Sequence, residues 1–162
     1  ISDVYFYELD LAMPDMAVEI GHNTMVDDVV SIAVDDNYIY LSGDLRSPTE
    51  SDVIARIPRT ELTNTTFRPE RLGTVELDST YATMFIDNTT DAQYLYYRSV
   101  DFTDGNHVGV ITSPGGATPV QLGTILSLGG SSDYAMTYDE GENALYLFET
   151  QTLSTGRIVR ID

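Results

Sequence analysis

Residues 31–42 read Ser-Ile-Ala-Val-Asp-Asp-Asn-Tyr-Ile-Tyr-Leu-Ser: an apolar run closed by an aspartate, a short turn, then a run with the pattern apolar-Tyr-apolar. The same order returns at residues 85–97 and 137–147. A second marker, a glycine between an aliphatic and a polar residue, recurs in steps of 52 and 50 residues, at Gly21, Gly73 and Gly123. A period of this length is typical of repeat architectures, so the sequence predicts a repeat protein.

The apolar runs indicate that the repeated unit is made of β-strands. They are about four to eight residues long and rich in Tyr, Val, Ile, Thr and Phe, and Gly, Asn, Asp, Ser and Pro separate them. In register, they group into units of four antiparallel strands, each unit about fifty residues long. We predict that residues 1–28 end one unit, that 29–79 and 80–132 are full units, and that 133–162 are an incomplete one.

This layout predicts an all-β fold built of β-propeller blades. A blade is a four-stranded antiparallel sheet that stacks face to face on the next one around an axis, and its innermost strand is the most apolar. The chain holds about three blades, whereas closed propellers have about 4–8. We therefore expect a partial propeller, completed by further blades of its own chain or by other copies. A twisted β-sandwich or an open β-solenoid is the alternative architecture.

Three segments resemble a known group of propellers. Residues 31–42, 53–58 and 156–162 are similar to blades of the extracellular YWTD and NHL-like propellers, which read apolar run, Asp, turn, apolar-Tyr-aromatic, loop and Arg-apolar strand. The chain has no tryptophan, which those families often place where Leu41, Tyr97 and Leu147 stand here. The resemblance implies a propeller fold and a location outside the cell or in the cell envelope.

Composition narrows the classes of partner. The 162 residues include 26 acidic and 8 basic ones, for a net charge of −18, and every basic residue is an arginine. Such a field opposes binding to nucleic acid and to anionic membranes and favours cations or basic partners. No apolar stretch approaches the roughly 20 residues that a membrane-spanning helix needs, so we expect no membrane insertion. The absence of cysteine excludes disulfides and thiolate chemistry.

The sequence contains no recognisable catalytic motif. Its two histidines stand apart: His22 takes a position that threonine holds in the other units, and His107 opens a predicted strand, where we expect it to be exposed. These observations favour a non-enzymatic binding or assembly module. The alternative is a calcium-dependent hydrolase or lyase resembling the lactonase-type propellers, which hold an axial calcium with carboxylates and Asn from several blades and use a His or Asp base.

The loops at one end of the predicted blades hold the candidate ligand-binding residues. Loops 44–51 and 100–106 are long and differ between units, and departure from a repeat is where function concentrates. The candidates are Asp44, Arg46, Asp101, Phe102 and Asp104. An acidic face with one aromatic and one arginine suits a cation, a basic peptide or a sugar, so we expect a protein or glycan ligand.

One acidic segment is a candidate metal site. Residues 139–143 read Asp-Glu-Gly-Glu-Asn and supply the oxygen atoms that calcium prefers, with Asp139 and Asn143 as candidate ligands. The same residue types also form tight turns. A hairpin turn and a calcium site therefore both remain interpretations of this segment.

Overall fold

The computed structural model describes residues 3–9, 12–13, 16–46, 48–74, 83–87, 93–101, 105–128, 134–139, 141–152 and 155–161. Within these ranges, every regular element is a β-strand except a single 3-10 turn at Arg59–Glu61. The strands form four antiparallel sheets, which confirms the predicted all-β class.

The sheets follow one another along the chain, and strands that are consecutive within a sheet pair with each other. Sheet 1 contains β1 (Val4–Leu9) and β2 (Ala17–Asn23). Sheet 2 contains β3 (Val26–Val34), β4 (Tyr38–Leu45), β5 (Glu50–Pro58) and β6 (Glu70–Thr74). Sheet 3 contains β7 (Thr83–Asp87), β8 (Tyr94–Asp101), β9 (Gly105–Thr112) and β10 (Val120–Leu128). Sheet 4 contains β11 (Tyr134–Asp139), β12 (Ala144–Thr152) and β13 (Thr155–Ile161).

In sheets 2 and 4, the aspartate that closes the apolar run starts the hairpin that follows. The carboxylate of Asp35 accepts hydrogen bonds from the backbone N–H groups of Asn37 and Tyr38, both at 2.7 Å. In sheet 4, Asp139 accepts from Gly141 and Glu142 in the same way, at 2.9 and 3.2 Å. The marker is therefore an Asx turn, which a short acidic side chain forms with the backbone two or three residues on.

Side chains alternate between the two faces of each sheet, so a sheet contacts a different neighbour on each side. In β4, Ile39 and Leu41 join a cluster with Phe6 of sheet 1, while Tyr40 joins a cluster with residues of sheet 3. A third cluster lies between sheets 3 and 4 and includes Val108 and Leu147. The four sheets thus pack face to face in chain order, through three apolar cores.

The first strands of sheets 2, 3 and 4 lie side by side. β3 contacts β7, and β7 contacts β11. The backbone N–H of Met84 in β7 donates to the Ser31 hydroxyl in β3 at 3.1 Å. The successive sheets are therefore joined along their first strands as well as through their faces.

The outer faces of sheets 1 and 4 carry exposed apolar side chains. On sheet 1, Tyr5 and Tyr7 are 49% and 60% exposed. On sheet 4, Phe148 and Ile158 are 47% and 71% exposed. By contrast, Tyr40, Ile54 and Leu95 are fully buried where sheets 2 and 3 face each other. Other apolar residues of these two sheets are exposed, namely Ile32, Val34, Val120 and Leu122.

Candidate functional site

The predicted ligand residue Arg46 is held by the backbone and by carboxylates. It follows β4 directly; its Nη1 donates to the Thr24 carbonyl at 3.1 Å and its Nη2 to Asp27 Oδ1 at 2.9 Å. Asp3 lies 3.7 Å from the same guanidinium. Arg46 therefore ties the end of β4 to the turn between β2 and β3, and its charge is offset locally.

The second predicted residue, Asp44, closes the connection between β4 and β5. Its Oδ1 accepts from the backbone N–H of Asp52 at 2.9 Å, and Asp52 has a positive φ of 55°. Asp28 pairs with Asp44 across β3 and β4, so two carboxylates lie beside each other at this end of sheet 2. With Asp3 and Asp27 nearby, the region around Arg46 is net acidic.

The other predicted ligand residues belong to the connection after β8. Asp101 is the last residue of that strand, while Phe102 and Asp104 lie outside the described residues. The structure thus brings Asp44 and Arg46 to one end of sheet 2. Their grouping with the residues of the second loop stays a prediction.

The candidate metal ligands take part in the hairpin between β11 and β12. One oxygen of Asp139 closes the Asx turn, and Asn143, with a positive φ of 50°, accepts from the Tyr138 hydroxyl at 2.6 Å. In the part of the chain that the structure describes, no three His, Asp or Glu side chains come together as a metal-binding group. The turn interpretation accounts for the contacts of both residues, and calcium binding stays a prediction.

The expectation that His107 is exposed was wrong. His107 is the third residue of β9 and does not begin the strand, and it is 8% exposed. Neither ring nitrogen has a hydrogen-bond partner among the described residues. His22 stacks on Tyr5, with ring centroids 5.2 Å apart, on the outer face of sheet 1.

Sequence reasoning missed Arg56, the residue that joins sheet 2 to sheet 3. It is 5% exposed, donates from Nη1 to the Gly116 carbonyl at 2.8 Å and to the Pro114 carbonyl, and pairs with Glu70 at 2.8 Å. Its guanidinium also lies 4.7 Å from the centre of the Tyr38 ring. Because the carbonyls belong to the turn after β9, Arg56 holds an element of the next sheet.

Tyr40 lies opposite Arg56 in the register and completes this interface. Its hydroxyl donates to Asp35 at 2.6 Å. Burial, and then the hydrogen bond to Asp35, raise the pKa of Tyr40 well above its ordinary value of about 10. The tyrosine therefore stays neutral and keeps donating to the carboxylate that shapes the hairpin. We call Tyr40 and Arg56 the buried pair.

A smaller contact, made by Gln121 of β10, joins the same two sheets. Its Oε1 accepts from the Thr74 N–H at 3.1 Å, and its Nε2 donates to the Thr74 carbonyl and the Tyr97 hydroxyl, both at 2.6 Å. A Cβ at Gly73 would lie 2.4 Å from Gln121 Oε1. A side chain at this position of the repeat marker would therefore displace the amide of Gln121 from its contact with Thr74.

Sheet 4 repeats the buried pair in the same register, but at its outer face. Tyr146 pairs with Arg160 across β12 and β13, as Tyr40 pairs with Arg56 across β4 and β5. Arg160 donates to Glu142 at 2.8 Å and lies 5.9 Å from the centre of the Tyr146 ring. Its side chain is 47% exposed. We call Tyr146 and Arg160 the exposed pair.

Comparison with known proteins yields no relative from which a function could be transferred. No protein-family model, curated protein or solved structure matches this chain. A helix long and apolar enough to cross a bilayer is absent from the described residues. Inference about function therefore rests on the sheet interfaces and the acidic loop region.

Proposed function

We propose that this chain is a run of β-propeller blades that acts, outside the cell or in its envelope, as a non-enzymatic binding and assembly module. The observation that carries the proposal is the face-to-face packing of four consecutive sheets, with the first strands of sheets 2, 3 and 4 adjacent. This is how blades pack around a propeller axis. The resemblance of the blades to YWTD and NHL-like propellers agrees with it.

The faces at both ends of the stack support the assembly part of the proposal. Exposed apolar patches rimmed by polar groups mark interaction surfaces. Tyr7 and Ile158 stand at such patches, on sheets 1 and 4. In a complete propeller, another blade covers each of these faces.

The acidic region around Arg46 supports the proposal that the chain binds a ligand. Asp27 and Asp3 offset the charge of Arg46, so Asp28 and Asp44 leave the region negative. Clustered carboxylates attract cationic segments, and the net charge of −18 adds a long-range attraction. A basic protein segment is the ligand that this chemistry favours, with Asp101, Phe102 and Asp104 as proposed contacts from the neighbouring loop.

Titration calorimetry with an Arg/Lys-rich peptide tests this function. We expect binding that weakens with salt and weakens about tenfold in Asp28→Asn, since losing one close charge costs about 1.4 kcal/mol. Asp36→Asn is the matched control, because it removes the same charge at the opposite end of β3 from an exposed turn residue. Equal weakening in both variants, no binding, or turnover of a lactone with calcium would each contradict the proposal.

A further inference from the structure

We infer that the outer face of sheet 4 docks on the outer face of sheet 1 of a second copy, head to tail, as sheet 2 docks on sheet 3 within one chain. The inference rests on the proposed blade architecture and names the partner that completes it. It follows from comparing residues at matching positions of the buried and the exposed faces.

The first matching position lies on the side that receives the neighbour. Arg56 and Arg160 occupy the same place opposite a tyrosine, on the third strand of their sheets. Arg56 is 5% exposed because the turn of sheet 3 covers it, and its donors reach the carbonyls of Pro114 and Gly116. Sheet 4 carries the same pair, with exposed apolar residues around it. Its outer face therefore corresponds to the face of sheet 2 that sheet 3 covers.

The second matching position lies on the side that docks. Gly21 and Gly123 carry the repeat marker and pair with Phe6 and Val110, which aligns β1 with β9. Ile111 is then the equivalent of Tyr7, the residue that follows Phe6. Ile111 is fully buried against sheet 2, whereas Tyr7 is 60% exposed. The outer face of sheet 1 therefore corresponds to the face of sheet 3 that packs against sheet 2.

The connections that follow the two aligned strands, residues 10–16 and 113–119, have the same length. Arg56 holds the segment that joins β9 to β10, where the Gly116 N–H donates to the Ser113 carbonyl at 2.9 Å. The segment that joins β1 to β2 contains a turn of the same size, in which the Met16 N–H donates to the Met13 carbonyl at 3.0 Å.

Charge distinguishes a second copy from an arbitrary apolar partner. Arg160 lies on the outer face of sheet 4, beside Glu142, whereas the outer face of sheet 1 carries Glu19 and no arginine. Glu19 pairs with Tyr7 on the outer face of sheet 1 and is the equivalent of Gln121, which binds the preceding sheet. Arg160 and Glu19 thus give the two outer faces one pair of opposite charges, although the chain as a whole is strongly acidic.

Sedimentation velocity on the 162-residue chain tests the inference with one variant for each face. We expect the average mass of the native chain to rise with concentration above 17.9 kDa, because a head-to-tail contact leaves two further faces to react. Tyr7→Asp and Ile158→Asp are each expected to stay monomeric. An equimolar mixture of the two should form a dimer, since each variant retains the face that the other has lost.

Two further variants guard against trivial explanations. Thr63→Asp adds the same charge at an exposed residue next to Leu62, which packs in the core between sheets 1 and 2, and should associate as the native chain does. Arg160→Met keeps the length of the side chain and should weaken association about 30-fold, as loss of a hydrogen-bonded interface charge does. Its effect also shows whether the arginine, and not apolar contact alone, holds the partner.

A native chain that stays monomeric, or a mixture that forms no dimer, would overturn the inference. So would loss of association in only one of the two single-face variants, because that pattern indicates a symmetric contact. None of these results affects the binding of basic peptides or its dependence on Asp28. Failure of the proposed binding function and failure of this inference are therefore distinguishable.

Discussion

Sheets 2 and 4 place the same two side chains at the same register, yet the pairs differ in what they contact. The Arg56 guanidinium binds carbonyls of the next sheet, and the Tyr40 hydroxyl binds Asp35 of its own sheet. In sheet 4, Arg160 and Tyr146 both donate hydrogen bonds to Glu142, a residue of the local hairpin. The contacts of the pair are thus decided by whether a neighbouring sheet covers it.

The difference between the pairs has an energetic consequence. Exposed ion pairs contribute about 0–1 kcal/mol, because water solvates both charges well. Leaving a buried hydrogen-bonding group without its partner costs about 1–3 kcal/mol, because the group has lost its bonds to water. The two pairs therefore allow one substitution to be compared in two environments of a single chain.

The largest effect is expected from removing the buried guanidinium. Arg56→Met leaves the carbonyls of Pro114 and Gly116 without their donor and removes the partner of the half-exposed Glu70. It should lower the free energy of unfolding by about 2–4 kcal/mol, since each carbonyl left unpaired costs about 1–3 kcal/mol. Arg160→Met, at a concentration where the chain is monomeric, should cost less than about 1 kcal/mol. Urea unfolding of both variants measures the difference. An equal loss of unfolding free energy in the two variants would show that the burial of Arg56 does not add to the stability of the chain.

A smaller effect is expected from the hydroxyl of the buried tyrosine. Tyr40→Phe removes the donor to Asp35, which is 6% exposed, and should cost about 1–3 kcal/mol, the penalty for a buried acceptor left unpaired. Tyr146→Phe is the matched control on the exposed face and should leave the urea midpoint unchanged. If Tyr40→Phe is neutral, the hydrogen bond to Asp35 does not stabilise the hairpin.

The side-chain amide that joins the two sheets is expected to contribute less. Gln121→Ala gives up the bonds to Thr74 and Tyr97 and should cost about 1 kcal/mol, because water can reach the exposed backbone groups of Thr74, although Tyr97 is buried. Thr112→Ala is the control, since the Thr112 hydroxyl donates to the Val120 carbonyl within sheet 3. Thermal unfolding should rank Gln121→Ala as the more damaging change, and the reverse order would contradict the contact between sheets.

Alkaline pH tests the environment of the buried tyrosine. Burial, and then the hydrogen bond to Asp35, raise the pKa of Tyr40 in the folded chain above its ordinary value of about 10. The unfolded chain therefore loses this proton first, so the stability from Tyr40 is fully present below about pH 10 and declines as the pH rises further. The decline should be smaller in Tyr40→Phe than in the native chain, as urea unfolding between pH 9 and pH 11 would show. Equal declines would mean that Tyr40 titrates normally.

The features that could be predicted from the sequence are local ones. Alternating apolar residues determine the strands, and the aspartates at 35 and 139 form turns with backbone groups only two or three residues away. For that reason, the all-β class and the antiparallel sheets follow from pattern alone. The order of strands within a sheet follows as well, because consecutive strands are joined by short turns.

The features that were missed depend on residues far apart in the chain. Arg56 is buried by a turn some sixty residues later, and nothing near it in the sequence indicates that cover. Arg46 looked like a free ligand-binding cation, but Asp27, from an earlier strand, pairs with it. The polar residue opposite the repeated tyrosine, Arg56 in one unit and Arg160 in another, was the signal that could have identified the interface.

Hydrogen–deuterium exchange at low and high protein concentration tests the central claim most directly, because it reports on each sheet separately. If the outer faces of sheets 1 and 4 complete each other between copies, protection should rise with concentration in peptides from 3–9, 17–23 and 134–161. Peptides from sheets 2 and 3 should stay unchanged, since their faces are already covered within the chain. Protection that is independent of concentration in every sheet, or that rises in sheet 4 alone, would contradict the account.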